Sequence, residues 1–185
     1  MPSGFAFIGS GQYEPDLKLM SFDVPASHAT LIAPGDVVRL NGSATAVTSI
    51  IQCDVATAGQ NITGVVASID PNFTLENLTS SGLAASVFGS VKVIVDPLAM
   101  YTVAVSGGPL LVADVGLNID ITASAATLSG GLAISNMTVN AVTKAATNTL
   151  QFRIEKILPD AAGVLGNRAL VRVNNSTTML GVAGV

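Results

Sequence analysis

The stretch Leu150-Gln151-Phe152-Arg153-Ile154-Glu155-Lys156-Ile157 decides the fold class of this chain. Leu150, Phe152 and Ile154 would share one face of an extended segment, and the polar residues between them would face the opposite way. This period of two is typical of a β-strand that buries only one of its faces. We therefore begin from the expectation that strands build this protein.

Shorter runs rich in Val, Ile and Thr occur along the chain and are separated by Gly, Pro, Asn and Asp, which is the pattern of strands and turns. They lie at residues 37–40, 46–53, 62–69, 91–95, 101–105 and 169–173. Asn41-Gly42 predicts a tight hairpin between the first two runs. No segment has the pattern of a helix of three or more turns. The sequence thus predicts an all-β fold, either a sandwich or a barrel, in which a jelly-roll arrangement is possible.

The two ends of the chain differ from its middle. Residues 1–35 contain four of the eight prolines and half of the six phenylalanines, with no alternating run. We interpret residues 1–35 as an extended N-terminal arm or wrapping segment. Residues 36–173 are predicted to form the β domain, and the small, uncharged residues 174–185 a C-terminal tail.

Charged residues are scarce, at 11% of the chain, against about 25% in typical soluble domains. The net charge of −4 without a basic cluster argues against nucleic-acid binding, and no apolar run approaches the roughly 20 residues of a membrane helix. The first basic residue is Lys18, so the N-terminus lacks the cationic start of a signal peptide, and we expect a protein made in the cytoplasm. So much uncharged surface predicts a homo-oligomer, either a dimer or a trimer.

Catalytic patterns are weak in this sequence. His28 is the only histidine, and its neighbours Ser27 and Asp23 lie too close in sequence for the usual geometry of a catalytic triad. Cys53, the only cysteine, lies in an apolar run that predicts a buried and inert thiol. We therefore assign no catalytic and no cofactor-binding residues and expect the protein not to be an enzyme.

A metal site is not predicted either. One cysteine and one histidine cannot form a transition-metal cluster. Asp114, Asn118 and Asp120 could offer oxygen ligands to a hard cation, but their spacing matches no EF-hand loop and turn capping explains them as well. Whether a cation binds near Asp114 and Asp120 stays open at this point.

The order of several phrases along the chain carries a resemblance. They are FDVPA at 22–26, IAPGDVVRLNG at 32–42, ATAGQNITGVV at 56–66, VKVIVDPLAMY at 91–101, ADVGLNID at 113–120, FRI at 152–154 and ALVRVNN at 169–175. In this order the chain resembles, from about residue 13 onward, the head decoration (structural cement) proteins of tailed bacteriophages. The resemblance implies a β-rich, non-enzymatic virion protein. Such a protein sits on the outer capsid surface and bridges subunits of the major capsid protein.

The N-terminal segment offers candidate anchors for such a partner. Phe5, Phe7, Ile8 and Tyr13 are apolar residues in a segment without a strand pattern, where exposure is costly unless something covers them. Either the major capsid protein or the protein's own core or a second copy would provide that cover. A different structural role, that of a phage fibre or adhesin-type β subunit that polymerises or binds a receptor, fits the same composition.

Overall fold

The structure is a computed structural model that describes residues 4–10, 18–46, 48–70, 81–177 and 184. Within these residues the chain forms short strands and two single 3₁₀ turns, at Val112–Asp114 and Ala141–Thr143. The strands are β1 (Ala6–Ser10), β2 (Leu19–Val24), β3 (Val37–Ala44), β4 (Ile51–Val55), β5 (Gly64–Ile69), β6 (Gly89–Ile94), β7 (Ala99–Ser106), β8 (Asn118–Ile119), β9 (Ile121–Thr122), β10 (Thr127–Ser129), β11 (Leu132–Ile134), β12 (Thr138–Asn140), β13 (Phe152–Pro159) and β14 (Leu165–Val173). The all-β prediction is confirmed.

Strands β2 to β6 close into a small barrel in the order β2-β4-β3-β5-β6, with β6 paired back onto β2. The pairs are antiparallel except for β2 with β4, which run parallel. The core of the barrel is a cluster of buried apolar side chains, supplied by the five strands and by Ile32 and Leu83, which bridge to each other outside them. The members of the cluster are Phe22, Val24, Ile32, Val38, Cys53, Val66, Leu83, Val91 and Val93.

The second layer is a seven-stranded sheet in the order β8-β13-β14-β7-β12-β9. One side of β7 pairs with β14, and its other side is shared by β1, over the first half, and by β12, over the second. Strands β10 and β11 form a separate two-stranded hairpin. Along β13 and β14 buried residues alternate with less buried ones, as the sequence of β13 predicts, except at the two register shifts of the pair, near Glu155 in β13 and near Asn167 in β14.

The sheet and the barrel share one buried cluster. Val37, Val65 and Ile94 of the barrel strands belong to the same cluster as Tyr101 and Phe152 of the sheet. Residues that alternate to the outside of the barrel therefore form part of the core of the sheet, and the two layers are packed as one unit.

An aromatic trio lies in this shared cluster. The ring of Phe5 stacks on Phe152 at a centroid distance of 4.7 Å and meets Tyr101 edge-on at 6.1 Å. Tyr101 and Phe152 also meet edge-on, at 6.4 Å. The Phe5 amide donates to the carbonyl of Gly35 (3.1 Å), so the start of the chain is fixed by its backbone as well.

The prediction that residues 1–35 form an extended arm is wrong for the part of this segment that the structure describes. Ala6–Ser10 is a strand of the sheet, and Leu19–Val24 is a full strand of the barrel. Met20, Phe22 and Val24 alternate with Ser21 and Asp23, so the sequence of β2 does carry the period of two, but over only five residues before Pro25. Asp23 is nevertheless buried and accepts hydrogen bonds from Thr48 and Ser90.

The predicted position of the hairpin turn is also wrong. Asn41-Gly42 lies inside β3, at an irregularity where Gly42 takes a positive φ of 81°, and the chain reverses only between Ala44 and Ile51. Asn-Gly is compatible with a positive φ in a bulge as well as in a turn, since glycine tolerates both.

The boundary of the predicted C-terminal tail, residues 174–185, also changes. Asn174 and Ser176 are buried, and Thr177 donates its amide to the carbonyl of Ile62 at 2.8 Å. Residues 174–177 are therefore attached to the fold. Gly184 donates its amide to the Ala146 carbonyl at 2.9 Å.

We predict that Phe5→Ala lowers the free energy of unfolding by about 3–5 kcal/mol, because it empties a closed aromatic site. Phe7→Ala is the matched control: Phe7 is 38% exposed, and its ring meets Tyr101 edge-on at a centroid distance of 6.0 Å. It should cost about 1 kcal/mol or less. Denaturant unfolding of both variants checks this prediction. Equal losses of unfolding free energy would show that Phe5 contributes no more to the core than Phe7 does.

Candidate interaction surfaces

The structure separates the four predicted N-terminal anchors. Phe5 is 4% exposed and lies in the core, so its assignment as a partner-binding residue is wrong. Phe7 and Ile8 are 38% and 57% exposed on β1. Tyr13 lies outside the described residues. Phe7 and Ile8 thus remain available to a partner, and the protein's own core covers Phe5.

Strand β1 forms part of the edge of the sheet. In the part of the chain that the structure describes, it pairs only with β7, along one side. Its sequence AFIGS carries no charge and no proline, the two features that most often protect an exposed edge from pairing with another chain. The open edge of β1 is therefore suited to accept an additional strand.

A cluster of exposed aliphatic side chains lies at one end of the sheet. The Leu110 amide donates to the Gly166 carbonyl (3.0 Å), which places the loop after β7 beside the turn between β13 and β14. Val142, in the 3₁₀ turn after β12, lies against Gly107 in the same loop. Lys144 reaches Asp114 at 2.8 Å and connects the two 3₁₀ turns.

We call this cluster the apolar end. Its members are Leu111 (63% exposed), Val112 (73%), Val142 (76%), Val164 (50%) and Leu165 (54%). The only ion pair described there, between Lys144 and Asp114, is neutral overall. Exposed apolar side chains gathered at one end of a domain mark protein–protein contacts more often than open surface.

The outer surface of β13 and β14 has a different character, and we call it the basic face. The buried residues of the two strands point into the core, so the alternating positions point outward. They carry a cluster of cationic side chains, consisting of Arg153, Lys156, Arg168 and Arg172. Leu170, on the same face, and the neighbouring Met100 and Ala104 of β7 are half-buried.

Two of these cations are direct neighbours. Arg153 and Arg172 are register partners across β13 and β14, and like charges directly opposite each other in a sheet are destabilising. Glu155 lies 3.0 Å from the Arg172 guanidinium and balances one of the two charges. The register therefore leaves excess positive charge on an exposed face of the sheet.

A cleft of about 350 Å³ opens between the barrel and the segment that precedes β10. Its lining includes hydroxyls from Ser27, Thr30 and Ser124 together with the carboxylates Asp36 and Asp54. Asp36 is fully buried and accepts a hydrogen bond from the Ala33 amide at 2.8 Å. Burial raises the pKa of Asp36 to about 6, although the hydrogen bonds from Ser135 and Ala33 favour its charged form.

The residues considered for catalysis do not come together. Asp23 accepts from Thr48 and Ser90, whereas His28 has its Nδ1 2.8 Å from the carbonyl of Pro25. Cys53 is fully buried, and burial raises the pKa of its thiol to about 12, so it is protonated at neutral pH.

The possible cation ligands are also engaged separately. Asp114 accepts from the Leu111 amide and from Lys144, both at 2.8 Å. Asp120 accepts from the Gln151 amide at 3.2 Å, and Asn118 donates to the Thr147 carbonyl at 2.8 Å. Among the described residues, no three His, Cys, Asp or Glu side chains converge in a way that could hold a metal ion.

Sequence reasoning missed both the apolar end and the basic face. Arg153 is visible as an outward residue in the alternation of β13, but nothing local indicates that β14 places Arg172 beside it. The apolar end is assembled from three loops that are distant in sequence, so no single segment carries its signal.

No family model, curated protein or solved structure matches this chain. None of the helical segments in the described residues is long and apolar enough to cross a membrane.

The buried Asp36 predicts a pH dependence of stability. The folded-state pKa of about 6 lies above the reference value of 3.8, so the folded state holds this proton more tightly than the unfolded chain does. The free energy of unfolding therefore falls as the pH rises from about 4 to about 6. The total change from this residue is about 3 kcal/mol.

We expect Asp36→Asn to remove this fall, because the amide oxygen can still accept from Ala33 and carries no charge at any pH. Urea unfolding of wild type and variant at several pH values between 4 and 7 gives the difference. Asp54→Asn, in the same cleft, is the matched control. If both variants change the pH dependence of the free energy of unfolding equally, burial of Asp36 is not the cause of that dependence.

Proposed function

We propose that this protein is a non-enzymatic structural protein that binds the outside of a bacteriophage capsid and stabilises it by bridging major capsid protein subunits. The observation that carries the proposal is the amount of uncovered apolar surface at the apolar end, where five aliphatic side chains are at least half exposed. The resemblance of its phrase order to that of head decoration proteins supports the proposal and suggests what the partner is. Both features favour a protein that works while covered by neighbours.

A decoration protein needs contacts with the shell and gains from contacts with its own copies. The apolar end is nearly neutral and aliphatic, as is typical of the centre of homo-oligomeric interfaces. We assign it to self-association, as a homodimer or homotrimer. Its working place is then the outer surface of the virion, reached after synthesis in the host cytoplasm, without nucleic acid or membrane as a partner.

One observation favours the alternative role of a fibre or adhesin-type subunit. The open edge of β1 is uncharged and could accept a strand from another copy, as polymerising β proteins do. A polymer would grow without limit in solution, whereas a decoration protein reaches a fixed copy number on a shell. The copy number on purified particles separates the two roles.

We predict saturable binding of the purified protein to preformed capsid shells, at a fixed ratio to the major capsid protein, with greater resistance of the shells to denaturant. Co-sedimentation measures the ratio, and light scattering during guanidinium titration measures the stability. Phe7→Ser tests the role of β1 in the same assay: a loss of binding would show that β1 takes part in the contact with the shell. Unsaturable uptake, or no uptake by intact shells, would contradict the proposed function.

We also predict that Val112→Asp combined with Val142→Asp converts the oligomer to a monomer. Each valine contributes roughly 1.5 kcal/mol when covered, so a dissociation constant should rise at least about tenfold per site. Leu19→Asp with Met20→Asp is the control, since these side chains are 46% and 53% exposed on the barrel. Sedimentation equilibrium reads the outcome, and dissociation by the control pair alone would place self-association on the barrel.

A further inference from the structure

The basic residues of this chain are concentrated on a single surface. Half of the eight lysines and arginines lie on β13 and β14, with Glu155 as the one acidic residue among them on the basic face. The rest of the chain carries four basic and eleven acidic residues. The net charge of the basic face is thus positive, whereas that of the rest of the chain is negative.

The fold gains nothing from this concentration of charge. Arg153 and Arg172 oppose each other in register, and Glu155 pairs with Arg172 at 3.0 Å. Within the described ranges, no acidic side chain forms an ion pair with Arg153, Lys156 or Arg168. Two uncharged residues at positions 153 and 172 would stabilise the sheet more than two arginines do. The charge therefore points to a partner outside the chain.

The occupant that fits is an acidic protein surface. Two basic faces would repel each other, which rules out stacking of this face on a second copy. Met100, Ala104 and Leu170 supply half-buried apolar surface between the cations, as in a protein–protein contact. Nucleic acid is disfavoured because eleven acidic residues on the rest of the chain would repel its phosphates.

We propose that the basic face docks on an acidic patch of the major capsid protein; this inference rests on the proposed function above. Electrostatic complementarity of this kind raises the association rate and selects the correct partner. It also places the two contacts on different surfaces, with the shell at the basic face and sister copies at the apolar end.

The test compares two double variants that remove the same charge. Arg153→Gln with Arg168→Gln acts on the basic face, and Lys18→Gln with Lys92→Gln acts on the barrel. We expect the first pair to weaken binding to capsid shells about tenfold at 50 mM salt and to flatten its salt dependence, whereas the control pair changes affinity less than about twofold. The melting temperature of the free protein should stay the same or rise in the first pair, because a like-charge opposition is removed.

A charge-preserving variant, Arg153→Lys with Arg168→Lys, completes the design and should bind shells like wild type. If it loses as much affinity as the glutamine pair, charge is not the reason and the inference is wrong. Equal binding by the glutamine pair and wild type overturns the inference while the proposed function stands. Absence of wild-type binding overturns both. Tight binding of linear duplex DNA that the glutamine pair abolishes would replace the acidic protein partner with nucleic acid.

Discussion

The contact among Phe5, Tyr101 and Phe152 constrains everything built around it. These rings occupy the cluster that the barrel and the sheet share, so the inward positions of β7 and β13 are committed to apolar packing. Because neighbouring residues of a strand point in opposite directions, that commitment turns Arg153 outward and, through the pairing of β13 with β14, Arg172 as well. The outward position of residues 153 and 172 is therefore a geometric consequence of the buried rings, whereas their charge is not.

The fold class could be predicted from the sequence because a strand that buries one face alternates apolar and polar residues. Residues 150–157 show this alternation. The prediction fails for the short strand β2. Met20, Phe22 and Val24 alternate with the polar residues between them, but a period of two over five residues does not separate a strand from an extended arm. It also fails at Asn41-Gly42, because a positive φ is needed both in a turn and in a bulge.

The interaction surfaces were less accessible to prediction because they depend on pairing between distant segments. Phe5 and Phe7 look alike in the sequence, yet one stacks in the core and the other lies at its rim. Phe5 precedes β1 and donates its amide to the Gly35 carbonyl, whereas Phe7 lies within β1 opposite Tyr101, and no local pattern reveals either contact. The apolar end depends in the same way on the Leu110–Gly166 hydrogen bond, which joins the loop after β7 to the start of β14.

The attachment of the N-terminus has a consequence for biosynthesis. Gly4 donates to Ser135 at 3.0 Å, and the ring of Phe5 rests on Phe152. Neither partner has been synthesised when residues 4 and 5 leave the ribosome, so these two residues find their places only after Ser135 and Phe152 have been made. Proteins dominated by such non-local contacts fold slowly, and their unpaired strands are exposed to aggregation in the meantime. The apolar segment at residues 5–8 therefore waits on the nascent chain until β7 and β13 have been made, and during that time it can pair with other chains.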